Sequence, residues 1–306
     1  MRNLGIKWWL TLALGFVVGV VGPTAALLTY NHFAWKSAKR DLFYTDKNLK
    51  MIPGVMGENE YVIIEMVAAE VEQSQLGGAS MILKLTNKTP SVISVSNEYA
   101  TMNGYSLDSG GLYEELQPYA SIEALMIVND NLFDYDIEKI TDVTIGLKVY
   151  HDRDANGNTA SYFGPYTAYS EYKDYDQSAI DEKKNKGPVI YNENGIKITV
   201  LEDRYETDSY APMQWLLIEN DNDFTIRSGM SEVEINGMII SNASFFTSDI
   251  APNSKCKREI ILDMSESEKA KIKNIESINL YSSFYASSYD TPNSDFYVEL
   301  PKLKIK

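Results

Sequence analysis

Cysteine and histidine are scarce in this chain of 306 residues, which has one Cys and two His. One cysteine cannot build a disulfide framework, and so few Cys and His side chains cannot supply a Cys/His zinc site. The scarcity of histidine also removes most of the general acid–base chemistry that operates near neutral pH. The sequence contains no Gly-x-Ser-x-Gly elbow, phosphate-binding glycine loop or His-Glu-x-x-His motif. It therefore favours a protein that is not an enzyme.

Positive charge is also in short supply, because 28 Lys and Arg face 43 Asp and Glu, for a formal net charge of -15. A surface this acidic repels phosphate backbones, so a nucleic-acid partner is not expected. Apolar residues make up 44% of the chain and charged residues 23%, which argues against wholesale disorder. The length leaves room for one large domain or two ordinary ones.

The N-terminal part of the chain lacks charge altogether between Trp8 and Trp35. As a helix, the almost continuously apolar run Trp8–Tyr30 would be long enough to cross a hydrocarbon core of ~30 Å. We predict an N-terminal tail and transmembrane helix, acting as a signal anchor, at residues 1–35, and a stalk at residues 36–57. The alternative is a cleaved signal peptide with a weak small-residue site at Thr24–Ala26.

Basic residues flank this run on both sides, so their distribution decides the orientation only weakly. The later composition is typical of an extracellular β protein. The sequence thus predicts a single-pass cell-membrane protein with its body on the extracytoplasmic side, and the membrane as one partner through the N-terminal helix.

The body of the chain contains an internal repeat. Leu83–Asn87 corresponds to Leu216–Asn220, and Met102–Tyr105 corresponds to Ile235–Met238, both with a separation of 133 positions. Further matches follow in the same order, which indicates duplication of one unit. We predict a first β-sandwich at residues 58–175, a mixed-charge linker at 176–188 and a second β-sandwich at 189–306.

Within each unit the apolar residues alternate with a period of two, as in Ile196–Val200 and Val143–Val149. This period is typical of half-buried strands. The pairs Asn103–Gly104 and Asn236–Gly237 predict tight hairpins, since both central residues of a type I′ turn need positive φ. About seven short strands per unit predict an all-β fold of two tandem immunoglobulin-like β-sandwich domains.

Five motifs of the second unit carry a resemblance to a known family: residues 194–200, 217–221, 233–237, 249–255 and 275–280. They resemble the immunoglobulin-like (telokin-like) modules of uncharacterised membrane-anchored surface proteins of Gram-positive bacteria. The first unit is similar to these modules more weakly. The resemblance implies the sandwich fold and a position outside the membrane, and it supplies no activity and no functional residues.

One loop has the spacing of a calcium site. Asp152, Asp154 and Asn156 occupy positions 1, 3 and 5 of a calcium loop, Gly157 suits the turn at position 6, and Asn158 offers a carbonyl at position 7. The twelfth position lacks the usual glutamate, and the flanks are predicted strands. A polar hairpin tip explains the same residues. Calcium is the one cofactor that the sequence suggests.

Tyrosine is abundant, with 21 residues. Its rigid, amphipathic ring suits recognition surfaces, although tyrosine is also an ordinary strand residue. The predicted binding residues are Tyr162, Tyr166, Tyr169, Tyr285 and Tyr289. We predict a binding or scaffold protein that engages a protein partner or cell-envelope component, such as the cell wall. The alternative is an extracytoplasmic glycan hydrolase that uses two carboxylates.

Overall fold

The structure is a computed structural model. It describes residues 49–71, 78–128, 132–154, 157–206, 213–229, 231–240, 243–245, 249–262, 264–272, 274–286 and 295–306. We use the term N-terminal half for residues 49–175 and C-terminal half for residues 189–306. Both halves belong to one compact unit that covers Lys47–Lys306.

The prediction of a single-pass cell-membrane location is wrong by this structure. Across the described ranges, no helix is long and apolar enough to cross a membrane. Residues 1–35, to which the sequence assigns the transmembrane helix, lie outside the described residues, and so does most of the predicted stalk.

In its described residues, the N-terminal half is built from strands and the short 3-10 helix Leu132–Tyr135. Its strands are β1 (Gly54–Glu58), β2 (Val62–Val71), β3 (Ala79–Asn87), β4 (Ile93–Met102), β5 (Tyr105–Leu107), β6 (Ser109–Gly110), β7 (Tyr113–Leu116), β8 (Ser121–Val128), β9 (Asp142–Asp154) and β10 (Gly157–Tyr169). Helix α1 (Ser178–Lys184) follows this half.

The described part of the C-terminal half is also composed of strands, together with helix α2 (Glu266–Lys271). Its strands are β11 (Val189–Glu193), β12 (Ile196–Glu206), β13 (Met213–Asn220), β14 (Ile226–Ser228), β15 (Glu232–Ile235), β16 (Met238–Ile239), β17 (Ala243–Phe245), β18 (Ser254–Leu262), β19 (Ile278–Tyr281), β20 (Ser283–Ala286), β21 (Tyr297–Glu299) and β22 (Leu303–Lys304). The predicted all-β class is therefore confirmed.

Strand order repeats between the halves. One sheet of the N-terminal half runs β1-β2-β3-β8, and the C-terminal half contains the order β11-β12-β13-β18. In both series each strand is antiparallel to its neighbour. The matched order agrees with the duplication predicted from the sequence, while the domain boundaries at residues 58–175 and 189–306 remain a prediction.

Both predicted Asn–Gly hairpins form. Asn103 and Gly104 have φ of 51° and 73°, and Asn236 and Gly237 have φ of 50° and 83°. Asn and Gly adopt this left-handed conformation at little cost, which is why the pair closes a two-residue turn. The first turn joins β4 to β5 and the second joins β15 to β16.

The C-terminal half has a core between its layers. Inward-facing residues of β12, β13 and β18 pack in one apolar cluster with residues of β15, β19 and β20. The lone cysteine, Cys256, is buried in this cluster. Each strand contributes alternate residues, so its other face remains available for a different contact.

The two halves share a ten-stranded sheet, in which β5 and β18 pair in parallel at Tyr105 and Lys255. The mixed-charge segment predicted as a linker contains α1. Its Asp181 carboxylate accepts a hydrogen bond from the Tyr105 hydroxyl at 3.0 Å and binds the Lys255 ammonium group. A segment with little apolar surface is thus ordered by polar contacts to strands of both halves.

Candidate functional site

The predicted calcium loop lies at the end of the long β9–β10 hairpin, where Asp154 is opposite Gly157 and Asp152 is opposite Thr159. Asn156 lies outside the described residues, and no side chain of residues 152–158 is described. Among the side chains that the structure does describe, no group of three or more His, Cys, Asp or Glu could hold a metal. Calcium binding by Asp152, Asp154, Asn156 and Asn158 stays a prediction.

Calcium should raise the Tm of the protein if this loop binds the ion, because a ligand that binds only the folded state stabilises it. At a free concentration 100 times Kd the gain is about 2.7 kcal/mol. Thermal unfolding with millimolar calcium and with a chelator measures it, and Asp154→Asn should abolish the difference. An unchanged Tm in millimolar calcium would remove the site.

The predicted binding tyrosines occupy different environments. Tyr166 is only 9% exposed; its ring packs against Gly57, and its hydroxyl accepts a hydrogen bond from Asn59 at 3.0 Å, so it has little surface to offer a ligand. Tyr169 is 54% exposed at the end of β10. Tyr162 and Tyr285 are half-buried, and Tyr289 lies outside the described residues.

Strand register places Tyr162 in a row of residues that share one face of the sheet. Tyr113, Ser96, Lys148 and Tyr162 lie directly opposite one another across β7, β4, β9 and β10. A second row on the same face consists of Ser106, Thr101, Thr144 and Thr167, across β5, β4, β9 and β10. We call these two rows the hydroxyl face, because seven of its eight members carry a hydroxyl group and none carries a carboxylate.

Lys148 is the one charged member of the hydroxyl face. Its Nζ lies 5.0 Å from the centre of the Tyr162 ring and 5.2 Å from that of Tyr150. A cation at such distances is attracted to both ring faces. The three side chains therefore hold one another in place and form a preordered aromatic and cationic surface.

The two rows are separated by a tyrosine that lies flat on the sheet. The Tyr99 ring covers Gly146, where a Cβ atom would come within 2.3 Å of the ring. Glycine is therefore required beneath the ring. Burial and the nearby Glu98 carboxylate raise the pKa of Tyr99, so its hydroxyl stays protonated.

At its β5 end the hydroxyl face meets the C-terminal half. The Ser106 hydroxyl donates to the Asp249 carbonyl at 2.9 Å and accepts from the Ala251 N–H at 3.0 Å. The Asp249 carboxylate accepts two hydrogen bonds of 2.6 Å from the Arg227 guanidinium group, a bidentate pair with well-defined geometry. Tyr285, directly opposite Arg227 on β20, belongs to this region.

Glu98, in the bulge of β4, is the carboxylate nearest in sequence to the Tyr99–Gly146 contact. Burial raises the pKa of Glu98, and Asp249 raises it further, while Lys148 and Arg227 act in the opposite direction. The pKa of Glu98 is higher in the folded state than in the unfolded state. The native state therefore loses stability as the pH rises from about 4.5, the ordinary pKa of this group, through its raised pKa.

Replacing Glu98 by glutamine should therefore stabilise the protein at pH 7 and leave it unchanged at pH 4, where the carboxyl group is protonated in both states. We expect a rise in Tm of a few degrees at the higher pH. Paired thermal unfolding curves of the two proteins across pH 4–7 measure the effect. A constant difference in Tm over this range would contradict the assigned pKa.

Sequence reasoning singled out neither Lys148, Glu98, Arg227 nor Asp249. Each is an ordinary strand or loop residue in sequence, and strand register alone brings Lys148 beside the tyrosine rings. The available signal was the alternation of Thr144, Lys148 and Tyr150 on β9, which marks a polar face without revealing its neighbours.

No family model matches the chain, and no curated protein matches it. The resemblance to telokin-like modules of Gram-positive bacteria is thus not confirmed. Among solved structures, the YadV chaperone is similar with a TM-score of 0.23 and 8% identity, over 73% of this chain and 92% of that chain.

Two further similar structures are the Salmonella enterica SafA pilin in complex with the SafB chaperone and the D0-D1 domain of intimin. The first has a TM-score of 0.22 and 9% identity, over 74% of this chain and 88% of that chain. The second has a TM-score of 0.18 and 8% identity, over 74% and 89%. Likenesses at these TM-scores carry no weight for function.

Proposed function

We propose that this protein is a non-enzymatic binding or scaffold protein and that it engages a protein partner through the hydroxyl face. The supporting observation is the row Tyr113, Ser96, Lys148 and Tyr162, which offers aromatic, hydroxyl and cationic groups on one rigid sheet. Tyrosine and a fixed cation suit such a role because little conformational entropy is lost when a partner binds.

A matched pair of exposed tyrosines tests this function. Tyr113, on the hydroxyl face, and Tyr297, on β21 of the C-terminal half, are both 63% exposed. A photo-crosslinking amino acid placed at Tyr113 should capture a defined protein in cells, and the same group at Tyr297 should not.

Lys148→Ala in the Tyr113-labelled protein should then reduce the yield of that adduct at least several-fold, because the rings of Tyr150 and Tyr162 lose the cation between them. Circular dichroism would confirm that the variant is folded. Equal capture from both positions, or capture that is indifferent to Lys148, would contradict the proposal.

The alternative of a carboxylate-dependent glycan hydrolase has one supporting observation. Glu98 has a raised pKa, as a general acid would, and the charge of a second carboxylate, Asp249, contributes to this shift. Against this role, both oxygens of Asp249 are engaged by Arg227. Hydrolysis of a polysaccharide panel that is lost in Glu98→Gln would favour the alternative over the binding function.

A further inference from the structure

The contact between the two halves joins unlike surfaces. The N-terminal half presents the end of its β4–β5 hairpin, where the Gly104 carbonyl oxygen accepts a hydrogen bond of 3.1 Å from the Lys255 N–H and Tyr105 pairs with Lys255. It also presents Asp136, whose Oδ2 lies 2.9 Å from Nζ of the fully buried Lys257. The C-terminal half receives both on β18. A contact of this heterologous kind can repeat wherever a unit carries both surfaces.

The C-terminal half carries its own copy of the hairpin surface. Tyr105, opposite Met102 in the β4–β5 hairpin, corresponds to Met238 at a separation of 133 positions. Met238 in turn lies opposite Ile235, the counterpart of Met102. Among the described strands, β16 pairs with β15 alone and forms the edge of its sheet. Ile239 on this edge is 56% exposed, and an apolar edge strand readily pairs with another chain.

The N-terminal half carries its own copy of the receiving surface. Strand β8 pairs with β3 as β18 pairs with β13, which makes Ser121 the counterpart of Lys255 at a separation of 134 positions. Glu123 is likewise the counterpart of Lys257, and both Ser121 and Glu123 are exposed. On the side away from β3, the described strand that pairs with β8 is β6, and it pairs only with the end of β8. The beginning of β8 is therefore open where the beginning of β18 is covered.

Charge supports the same pairing. Asp136 follows the 3-10 helix and directly precedes Ile137. Lys271, the last residue of α2, directly precedes Ile272, which corresponds to Ile137 in the repeat. Lys271 is thus the counterpart of Asp136, and it is exposed, as is Glu123. The internal contact pairs a lysine on the strand with an acid beside the helix, and the two open surfaces offer the same pair with the signs exchanged.

We propose that the protein binds a second copy of itself, head to tail, through these two open surfaces. The β16 edge of one molecule pairs in parallel with the beginning of β8 of the next, and Lys271 lies beside Glu123 of the partner subunit. The contact repeats the one that already joins the two halves. Because each molecule in such a pair keeps one open surface, association continues as a linear chain or closes as a ring.

Sedimentation of the purified full-length protein at several concentrations tests the inference. The average mass should rise above that of one chain as the concentration increases, because so small a contact gives weak association. Glu123→Lys should weaken association about tenfold or more, since like charges then meet, and Lys271→Glu should do the same. An equimolar mixture of the two variants should recover association, because each contact between unlike molecules again joins opposite charges.

Disulfide trapping tests where the contact lies. Ser121→Cys and Met238→Cys in separate molecules should form a linked dimer when mixed and oxidised, because directly paired strand residues lie within reach of a disulfide. Neither variant alone should form it, since the contact joins unlike surfaces. Ser121→Cys mixed with Tyr297→Cys is the matched control and should give no dimer, because Tyr297 is 63% exposed on β21, outside both surfaces.

The wild-type protein decides the question even if a variant fails to fold. A mass of one chain at every concentration up to about 1 mM would overturn the inference, since a contact with a Kd near that value would then be detected. Association that neither charge reversal weakens, or equal trapping with Tyr297→Cys, would overturn it as well. Lys148→Ala should leave self-association unchanged, so this test is separate from that of the hydroxyl face.

Discussion

Replacing Asp136 with glycine should destabilise the protein by about 3–5 kcal/mol, because the fully buried Lys257 would lose the carboxylate that compensates its charge. Glycine is the suitable substitution, since Asp136 has a φ of 56° and glycine adopts this conformation without strain. Urea unfolding followed by tryptophan fluorescence measures the loss as a lower midpoint with an unchanged slope.

Two control variants test whether the loss of stability in Asp136→Gly comes from the uncompensated charge of buried Lys257. The double variant Asp136→Gly, Lys257→Met should recover part of the loss, because it removes the uncompensated charge and keeps an apolar chain of similar length. Glu58→Gln, which breaks an ion pair with Lys88 whose side chains are 60% and 34% exposed, should cost less than about 1 kcal/mol. Equal losses in the two single variants would show that Lys257 finds other compensation.

The elements that the sequence predicts well are those that local chemistry fixes. Alternation marks the strands, and the positive φ required at Asn103 and Asn236 marks two turns. Both features are properties of a few consecutive residues, so they can be recognised in a single sequence.

The predictions that fail, or that miss a feature, concern contacts between distant residues. Asp136 and Lys257 are 121 positions apart, and nothing in the stretch around Lys257 distinguishes it from an exposed strand lysine. Lys257 is buried because the N-terminal half covers the outer face of β18. The alternation of apolar residues along a strand does not show which outer faces another part of the chain covers. The packing of the Tyr166 ring on Gly57 is another contact between distant residues that the sequence does not reveal.

The tyrosines predicted to bind a partner overlap in part with the hydroxyl face that we propose as the binding surface. Tyr162 belongs to the hydroxyl face and Tyr285 lies opposite Arg227, whereas Lys148, the cation that contacts Tyr162, was not predicted. Residue type predicts that tyrosines take part in recognition, but the register between β9 and β10 decides which of them gain a neighbour such as Lys148. Register depends on the whole hairpin, including its bulges, and so cannot be derived from one strand alone.

Replacing Asn220 with alanine should cost several kcal/mol, among the largest losses expected of any single substitution. Asn220 has no exposed surface, and its Nδ2 group donates to the carbonyl oxygens of Phe224, Ile250 and Ala251 at 2.9, 3.1 and 2.9 Å. Its Oδ1 accepts from the N–H of Asn222 at 3.0 Å. Each buried polar group left without a partner costs about 1–3 kcal/mol, so urea unfolding should show a strongly lowered midpoint.

Asn87 makes the same bonds in the N-terminal half. Its Nδ2 donates to the carbonyl oxygens of Ser91, Leu116 and Gln117, and its Oδ1 accepts from the N–H of Thr89. Each partner precedes its counterpart around Asn220 by 133 or 134 positions, which is the separation of the sequence repeat. If one unit was duplicated, Asn87→Ala should lose a similar free energy to Asn220→Ala.

The exposed Asn192 on β11 is the control, because its replacement by alanine should change the free energy of unfolding by no more than about 0.5 kcal/mol. Asn87 and Asn220 share no hydrogen-bond partner, so the losses should add in the double variant. A large loss at Asn220 with none at Asn87 would mean that the repeated bonds differ in strength, and it would count against equivalent folding of the two halves. Similar, additive losses would instead show that each half is stabilised by its own copy of one buried amide, as duplication requires.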